Sequence, residues 1–487
     1  MALLGDALKA GLGTGISRVM GLGREIALAH IFGATGELDA FFVALLIPHL
    51  LRRLFGEGGL AAAFLPRYVQ ALKEGEGERF RRASLSFALL FFPALCLLGT
   101  ALVPLYVPLL AGGFPVERLE LAISLSRALF PFIGLAGFAA LLTGILNAHG
   151  RFFLPSLGPA FLNLGLMAGA LASCFFHPPV YGLVVGLLFG GGLQVLSQLL
   201  LLRGKLALGW PWHPGFRDIG RRIGPVLFGL FVAELNAMVD NRLASGLPGG
   251  SISVLQYGMR LFQFPIGIIA VSVATAILPR LSRHGAHGEW DAFRKELQRG
   301  TEILLFLILP ATAGLYLIGG PTVHLLFRHG AFSSGAAVET IRVLEGYGVG
   351  LWGYGLVYLF SRAFYALGRP FVPAISGALA VATNIVLDIA LVGPWGTFGL
   401  AIATGIAGAL DATVQGVLLW RAIPGWISGT TVLQAFRYGG IVAAATAAAT
   451  LPCGADYLKV LCGLTAGLGA FALTGWRNLK AGIRGGG

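Results

Sequence analysis

Residues 17–66 read SRVMGLGREIALAHIFGATGELDAFFVALLIPHLLRRLFGEGGLAAAFLP, apolar enough for two membrane spans yet holding Arg18, Arg24, Glu25, Asp39, Arg52, Arg53 and Glu57. A charge at bilayer depth costs at least about 2.5–3.5 kcal/mol on insertion scales, so a chain carries it only where protein or water surrounds it. Two helices holding several such charges cannot both face lipid. They line a polar interior, and with arginine predominant that interior is cationic. A cationic cavity at membrane depth points to an anionic cargo.

The rest of the chain fits that environment. Of 487 residues, 56% are hydrophobic and 12% charged, and the mean hydropathy is +0.80. Soluble domains carry about 25% charged residues, so this composition indicates an all-α polytopic membrane protein. At roughly 20 apolar residues per span, the length allows about 12 to 14 helices. No short apolar core followed by a small-residue cleavage site opens the chain, so the first segment is expected to persist as a span. The net charge of +13 sits in short loops and inside spans rather than in a basic arm, which argues against a nucleic acid partner. Cys96, Cys174, Cys453 and Cys462 lie in apolar runs without CxxC spacing and read as buried inert thiols. His30 and His49 have no ligand-spaced partners, so no metal is read from them.

Apolar segments fall near 7–35, 39–70, 84–111, 121–148, 155–176, 180–202, 223–245, 252–281, 301–320, 340–366, 371–392, 398–420, 433–451 and 457–476, fourteen in all. With the N-terminus cytoplasmic, the cytoplasmic loops hold Lys73, Arg79, Arg81, Arg82, Arg151, Arg203, Lys205, Arg217, Arg221, Arg222, Arg283, Arg294, Lys295, Arg299, Arg369 and Arg421. The opposite loops offer little beyond Arg118, Arg328 and Lys459. This positive-inside bias predicts both termini in the cytoplasm.

The sequence also repeats. AFLPRYVQALKEGEGERFRR resembles AILPRLSRHGAHGEWDAFRKE, aligning Pro66 with Pro279, and NAHGRFFLPSLG resembles YALGRPFVPAISG, aligning Arg151 with Arg369. Both offsets are a little over 210 residues. Each repeat holds an even number of spans, so the copies share one membrane orientation, an arrangement that places a substrate site between halves near the midplane. The expected domains are residues 1–210, 211–425 and 426–487, the last holding two segments outside the duplication.

Within the first segment, Ser17 and Arg24 are seven residues apart, as are Arg18 and Glu25, so each pair shares a helix face. Arg53 and Glu57 are spaced to pair along the second segment, but the arginines outnumber the nearby carboxylates. Pro48, Gly56, Gly58 and Gly59 weaken that helix and suit bending as well as close packing. Arg260, in QYGMRLFQFPIGIIA, occupies the eighth segment, the counterpart of the second. Guanidinium groups suit phosphates because they donate in a bidentate fork. A second polar set comprises Asp240, Asn384, Asp388 and Thr404: hard oxygen ligands for a small cation, or, since Arg242 is near Asp240, a structural salt bridge. No GxxxxGK[ST] loop, GxSxG elbow or HExxH is present, which argues against an enzyme and leaves a gradient, the membrane potential or cargo flux as the energy source.

The first motif closely resembles the opening of the MurJ family of lipid II flippases, in the MOP exporter superfamily. The likeness continues through GILNAHGRFFLPSLGPAFLN, VDNRLASGLPGGSISVLQYGMRLFQFPIGI, LFRHGAFSS and FYALGRPFVPAISG, covering twelve segments. The resemblance implies two six-helix lobes forming a V around a central cavity, in the bacterial inner membrane, with the last two helices shaping a groove for the lipid tail. It implies that Arg24, Arg52 and Arg260 bind the pyrophosphate or headgroup of lipid II, with Arg18, Asp39 and Glu57 in the functional set. It implies bound sodium at Asp240, Asn384, Asp388 and Thr404 with the Leu400 carbonyl, and other cell-wall synthesis proteins as partners. Three departures stand out: Glu25 where the family usually has Asp, Met259 and Gln263 beside Arg260 where some members are acidic, and Arg369 in place of a common Asp. A MATE-like drug antiporter would share the architecture but favour acidic or aromatic pockets. An exporter of another polyprenyl-linked glycan would share the pyrophosphate.

Overall fold

The computed structural model describes residues 2–202, 207–427, 429–451 and 453–484, without the side chains of residues 1–14, 56–63, 221–233, 430–432, 434–436 and 471–484. Among the described residues there is no strand, and each of the fourteen apolar segments is helical. We number them α1 (Ala2–Phe32), α2 (36–73), α3 (Gly77–Ala111), α4 (Val116–Ala148), α5 (Gly158–Phe175), α6 (Tyr181–Leu201) and α7 (Gly215–Ala244). There follow α8 (Ser251–His287), α9 (Trp290–Phe327), α10 (334–366), α11 and α12 (the two parts of Phe371–Ala422, broken at Gly396), α13 (Gly429–Thr450) and α14 (Asp456–Arg484). Gly396 takes φ 56° and ψ −131°, which turns the chain between α11 and α12.

Seven helical stretches are long and apolar enough to cross a membrane by hydropathy alone, taking the last as Phe371–Ala422. Among the described residues, α1, α2 and α7 are not in this set, while α8 with Arg260 and α11 with Asp388 are. Charges such as those of Arg18, Arg24, Arg52 and Arg53 lower the mean hydropathy that marks a span.

The duplication is visible in hydrogen bonds. After α2, Glu76 N donates to Ala71 O at 2.9 Å with Gly75 at φ 78°; after α8, Glu289 N donates to His284 O at 3.0 Å with Gly288 at φ 69°. After α4, Arg151 N donates to Leu146 O at 3.0 Å with Gly150 at φ 72°; after α10, Arg369 N donates to Phe364 O at 2.9 Å with Gly368 at φ 68°. In each case the left-handed glycine lets an amide beyond the helix reach back to a last-turn carbonyl. The two copies also share a defect. α2 passes through a π-helical stretch at Arg53–Gly58 and α8 through another at Ile266–Ala270, at matching repeat positions. Proline removes a helical donor in both: Pro48 lies one turn before the first stretch and Pro265 directly precedes the second.

The chain gathers into two compact units, one of residues 1–253 with 330–332, the other of residues 254–329 with 333–487. α7 packs on α2 and α3 and so groups with the first unit. There, Phe64, Tyr68 and Phe80 form an aromatic core with centroids 5.5–6.0 Å apart. α5 and α6 touch backbone to backbone: a Cβ at Gly165 would meet Gly186 O at 2.3 Å, and one at Gly169 would meet Gly182 O at 2.2 Å. With no hydrophobic drive between helices in lipid, such small-residue seams supply close packing. In the second unit, α13 and α14 pack on α9, with Phe306 against Tyr438 at 5.5 Å and His324 Nδ1 3.1 Å from Asp456. The four cysteines are free, but they are not all buried as expected: Cys174 is exposed and the others are half-buried. Apolar sequence around a thiol predicts lipid-facing surface as readily as core, because both are dry.

Candidate functional site

The charges of the first unit begin on α1. Ser17 and Glu25 are buried, Arg18 is exposed, and the Arg24 side chain is 19% exposed. Arg24 Nη1 donates to Asn163 Oδ1 at 3.0 Å, its Nη2 pairs with Glu25, and Asn163 Nδ2 donates to Ser17 O at 3.0 Å. Asn163 of α5 thus fixes both the cation and the backbone one face-repeat away. Nothing in the sequence singled it out, since one amide in LNLGLMAGAL leaves no periodic trace. The seven-residue spacing places Ser17 and Arg24 in one network, as expected. Arg24 meets Glu25 as its neighbour in sequence, so the carboxylate partly balances the arginine and leaves its remaining surface open.

On α2, Thr35 caps the helix by accepting from Leu38 N at 3.4 Å, and Glu37 and Asp39 occupy the first turn, where the helix dipole favours anions. Asp39 is 1% exposed, and its oxygens accept from Gly250 N at 2.6 Å and from both Ser253 N and Ser253 Oγ at 2.7 Å. Its carboxylate therefore caps the start of α8, satisfying amides that have no helical partner. In this conformation Asp39 acts on backbone rather than on an open cavity. Arg118 packs over Phe114 at 5.2 Å and against Gly36 and Gly249, where any Cβ would collide with its guanidinium within 2.7 Å.

Arg52 and Arg53 stand at the entry to the π-helical stretch. Arg52 Nη2 lies 3.2 Å from His49 Nε2, and Arg53 pairs with Glu234 of α7. The Glu57 side chain, the spaced partner of Arg53, lies outside the described residues. Glu234 was not foreseen as a partner, because a carboxylate near the middle of α7 gives no sign of which helix it meets. A cleft of about 900 Å3 opens elsewhere in this unit, lined by Thr35, Glu37, Glu117, Arg118, Ser173 and Cys174 among others. Apart from Arg118 its lining is without the arginines named above: Arg18, Arg24, Arg52 and Arg53 lie outside it.

Arg260, on α8 six residues before the second π-helical stretch, is exposed and belongs to the second unit. There, Asn384, Asp388, Leu400 and Thr404 are all at most 5% exposed. Asn384 Nδ2 donates to Asp388 Oδ1 at 3.3 Å, and Thr404 Oγ1 donates to Leu400 O at 3.1 Å. Asp388 and Thr404 stand equally far from the Gly396 turn, so the α11–α12 hairpin sets them at one level. Close to the turn, Gly399 packs on Leu391 O. A carboxylate, an amide, a hydroxyl and a carbonyl, all buried, are the hard donor types that suit a small cation. Asp240, of the first unit, accepts from Asn236 Nδ2 at 3.3 Å. Among the described residues no group of three or more His, Cys, Asp or Glu gathers, as a transition-metal site would need.

The family model described as lipid II flippase MurJ matches residues 28–460. The chain is 33% identical over 432 residues to a probable lipid II flippase MurJ of Vibrio cholerae, covering 84% of this chain and 80% of that protein. It is 34% identical over 412 residues to a probable lipid II flippase MurJ of Thermotoga maritima, covering 84% and 83%. A solved lipid II flippase MurJ in an inward closed conformation superposes with TM-score 0.83 at 27% identity, over 96% of this chain and 99% of that one. An inward-facing MATE transporter of the MOP superfamily superposes with TM-score 0.71 at 17% identity, over 84% and 95%, a likeness of fold alone.

Proposed function

Because the chain belongs to the MurJ family of lipid II flippases, we propose that it works by alternating access, with Arg24, Arg52 and Arg260 holding the cargo's pyrophosphate. The protein is a multi-pass membrane transporter that flips lipid II. The observation that carries the mechanism is the position of Arg52 and Arg53 at the mouth of the π-helical stretch in α2. Guanidinium groups grip phosphate bidentately, and a π-helical stretch is where a helix changes its bend. Binding and movement thus meet in one turn. Ser17, Arg18, Glu25 and Glu57 complete the polar lining around the arginines.

The chain sits in a bacterial inner membrane with both termini cytoplasmic, and lipid II crosses from the cytoplasmic to the outer leaflet. An inside-negative potential drives an anion outward by about 2.3 kcal/mol per charge per 100 mV. Sodium at Asp240, Asn384, Asp388, the Leu400 carbonyl and Thr404 assists return of the empty carrier. α13 and α14 supply the groove for the polyprenyl tail, and other cell-wall synthesis proteins are partners. The chain performs no catalysis on the cargo.

Rescue of cells depleted of their essential flippase, paired with a lipid II translocation assay on the purified protein, tests this reading. Wild type should restore growth and move lipid II, and Arg52→Ala should do neither while reaching the membrane folded. Rescue by Arg52→Ala at wild-type level would sink the arginine assignment.

A further inference from the structure

The linker between the two repeats presents two tryptophans outward. In the segment 207–214, Trp210 is 80% exposed, Trp212 59% and Leu208 57%. The segment is held firmly all the same. Gly209 N donates to Ser86 Oγ at 3.0 Å, and its backbone lies against the Arg82 stem. His213 is buried edge-on against Phe80 at 4.9 Å, with Nδ1 accepting from Gly215 N at 3.1 Å. Pro211 and Pro214 stiffen what lies between.

The point of attachment fixes the depth. The first turns of α3 carry Glu78, Arg79, Arg81 and Arg82, and beyond Ser86 its outer face is apolar, with Phe87, Leu89, Leu90, Leu97 and Leu98 between 40% and 74% exposed. Ser86 therefore marks the polar–apolar border, and the linker lies on it. An aromatic ladder descends from there: Trp212 to Phe216 at 6.1 Å, Phe216 to Phe87 at 5.2 Å, Phe87 to Phe91 at 5.3 Å. Indole rings settle at that border, with an apolar body and a polar N–H. The charge around it is mostly positive: over 73–82 and 203–222 the sequence has nine basic residues against four acidic ones. Of the described ones, Arg79, Arg82 and Arg217 are exposed, while Glu76, Glu78 and Asp218 temper the field.

We propose that the linker 207–214 is a docking surface for anionic phospholipid: Trp210 and Trp212 seat at the headgroup–acyl border while Arg79, Arg82 and Arg217 hold lipid phosphates. Basic segments beside spans recruit anionic lipid in this way. The chain joining the two repeats is thereby tethered to one leaflet, the cytoplasmic one if the termini are cytoplasmic. Lipid composition then bears directly on the segment that must yield when the repeats rearrange.

The test uses full-length protein in nanodiscs of phosphatidylcholine with and without phosphatidylglycerol. Tryptophan quenching is read with lipids brominated near the headgroup end of the acyl chain and with aqueous acrylamide. Wild type should show a shallow-bromine component that grows with phosphatidylglycerol, and Trp210→Tyr/Trp212→Tyr should remove that growth. Its melting temperature should rise with phosphatidylglycerol, and Arg79→Gln/Arg82→Gln/Arg217→Gln should remove that rise. Arg217→Gln alone, at an exposed position, should reduce it without loss of fold. Acrylamide quenching of both tryptophans undiminished by lipid, a rise that survives the triple substitution, or an equal rise with inorganic phosphate in zwitterionic discs would each overturn the proposal.

Discussion

The two repeats share a scaffold and diverge in chemistry. Both break their second helix with a π-helical stretch at matching positions, and both end their helices with the same glycine turns. Yet the first places Arg24, Arg52 and Arg53 in and around its broken helix, whereas the second buries Asn384, Asp388 and Thr404 in its α11–α12 hairpin. On the proposed reading, the shared bends serve the part of the transport cycle common to both halves. On the same reading, most anion-binding groups fall in one half and most cation-binding groups in the other. Arg24 and Arg52 of the first repeat would then grip cargo together with Arg260 of the second, and the α11–α12 hairpin would supply most of the ion's ligands.

The largest effect that this division predicts is on flux. A hydrogen bond to a charged group is worth about 1.5–3 kcal/mol, so Arg24→Ala or Arg52→Ala should cut translocation roughly ten- to a hundredfold. Arg→Lys should restore only part, because an ammonium keeps the charge and loses the fork. Sodium-dependent stability should be untouched in these variants. If it collapses along with flux, the halves are not divided.

Next comes the ion. Saturation at 100 times the dissociation constant stabilises a protein by about 2.7 kcal/mol. Sodium should therefore raise the melting temperature of the wild type by several degrees, and Asp388→Asn should abolish the shift while lipid II binding persists. Equal melting curves with and without sodium would remove the ion from the second repeat.

A smaller effect sharpens the shared part. Gly58→Ala, at the end of the first π-helical stretch, should slow translocation severalfold with cargo affinity unchanged if bending there is rate-setting. A parallel loss of binding and stability would make that glycine a packing residue.

The smallest effect lies in the linkers. His213, in the linker after the first repeat, titrates, whereas Trp426, after the second, does not. Burial pushes its pKa below the ordinary value, with Glu76 opposing. The folded state then binds fewer protons than the unfolded chain, so the stability His213 contributes is present at neutral pH. It is lost as pH falls below about 6.5 and through the lower folded value. Melting temperature should decline slightly on mild acidification, and His213→Phe should flatten the decline; a slope unchanged in that variant assigns it to other groups.

Much of this was legible in the sequence. All fourteen helices, the duplication and its turn positions follow from apolar run lengths and from Pro-Arg and Gly-Arg signatures, which local physics dictates. Partners were harder. Asn163 and Glu234 are single polar residues on apolar helices, and only tertiary packing decides that they meet Arg24 and Arg53. Asp39 was readable as an unusual intramembrane carboxylate, but its capping of Gly250 and Ser253 depends on contacts more than 210 residues away. Proline and glycine in α2 and the proline in α8 signalled weak helix, while the π-helical register is a cooperative outcome that no residue pattern spells out.

The division between repeats is tested most directly by equilibrium binding of lipid II to wild type, Arg52→Ala and Asp388→Asn, each measured with and without sodium in nanodiscs of one composition. The account predicts an affinity loss of about tenfold or more in Arg52→Ala at either sodium level, and near-wild-type affinity in sodium-free Asp388→Asn. Wild-type affinity in Arg52→Ala, with the loss appearing in Asp388→Asn instead, would contradict it.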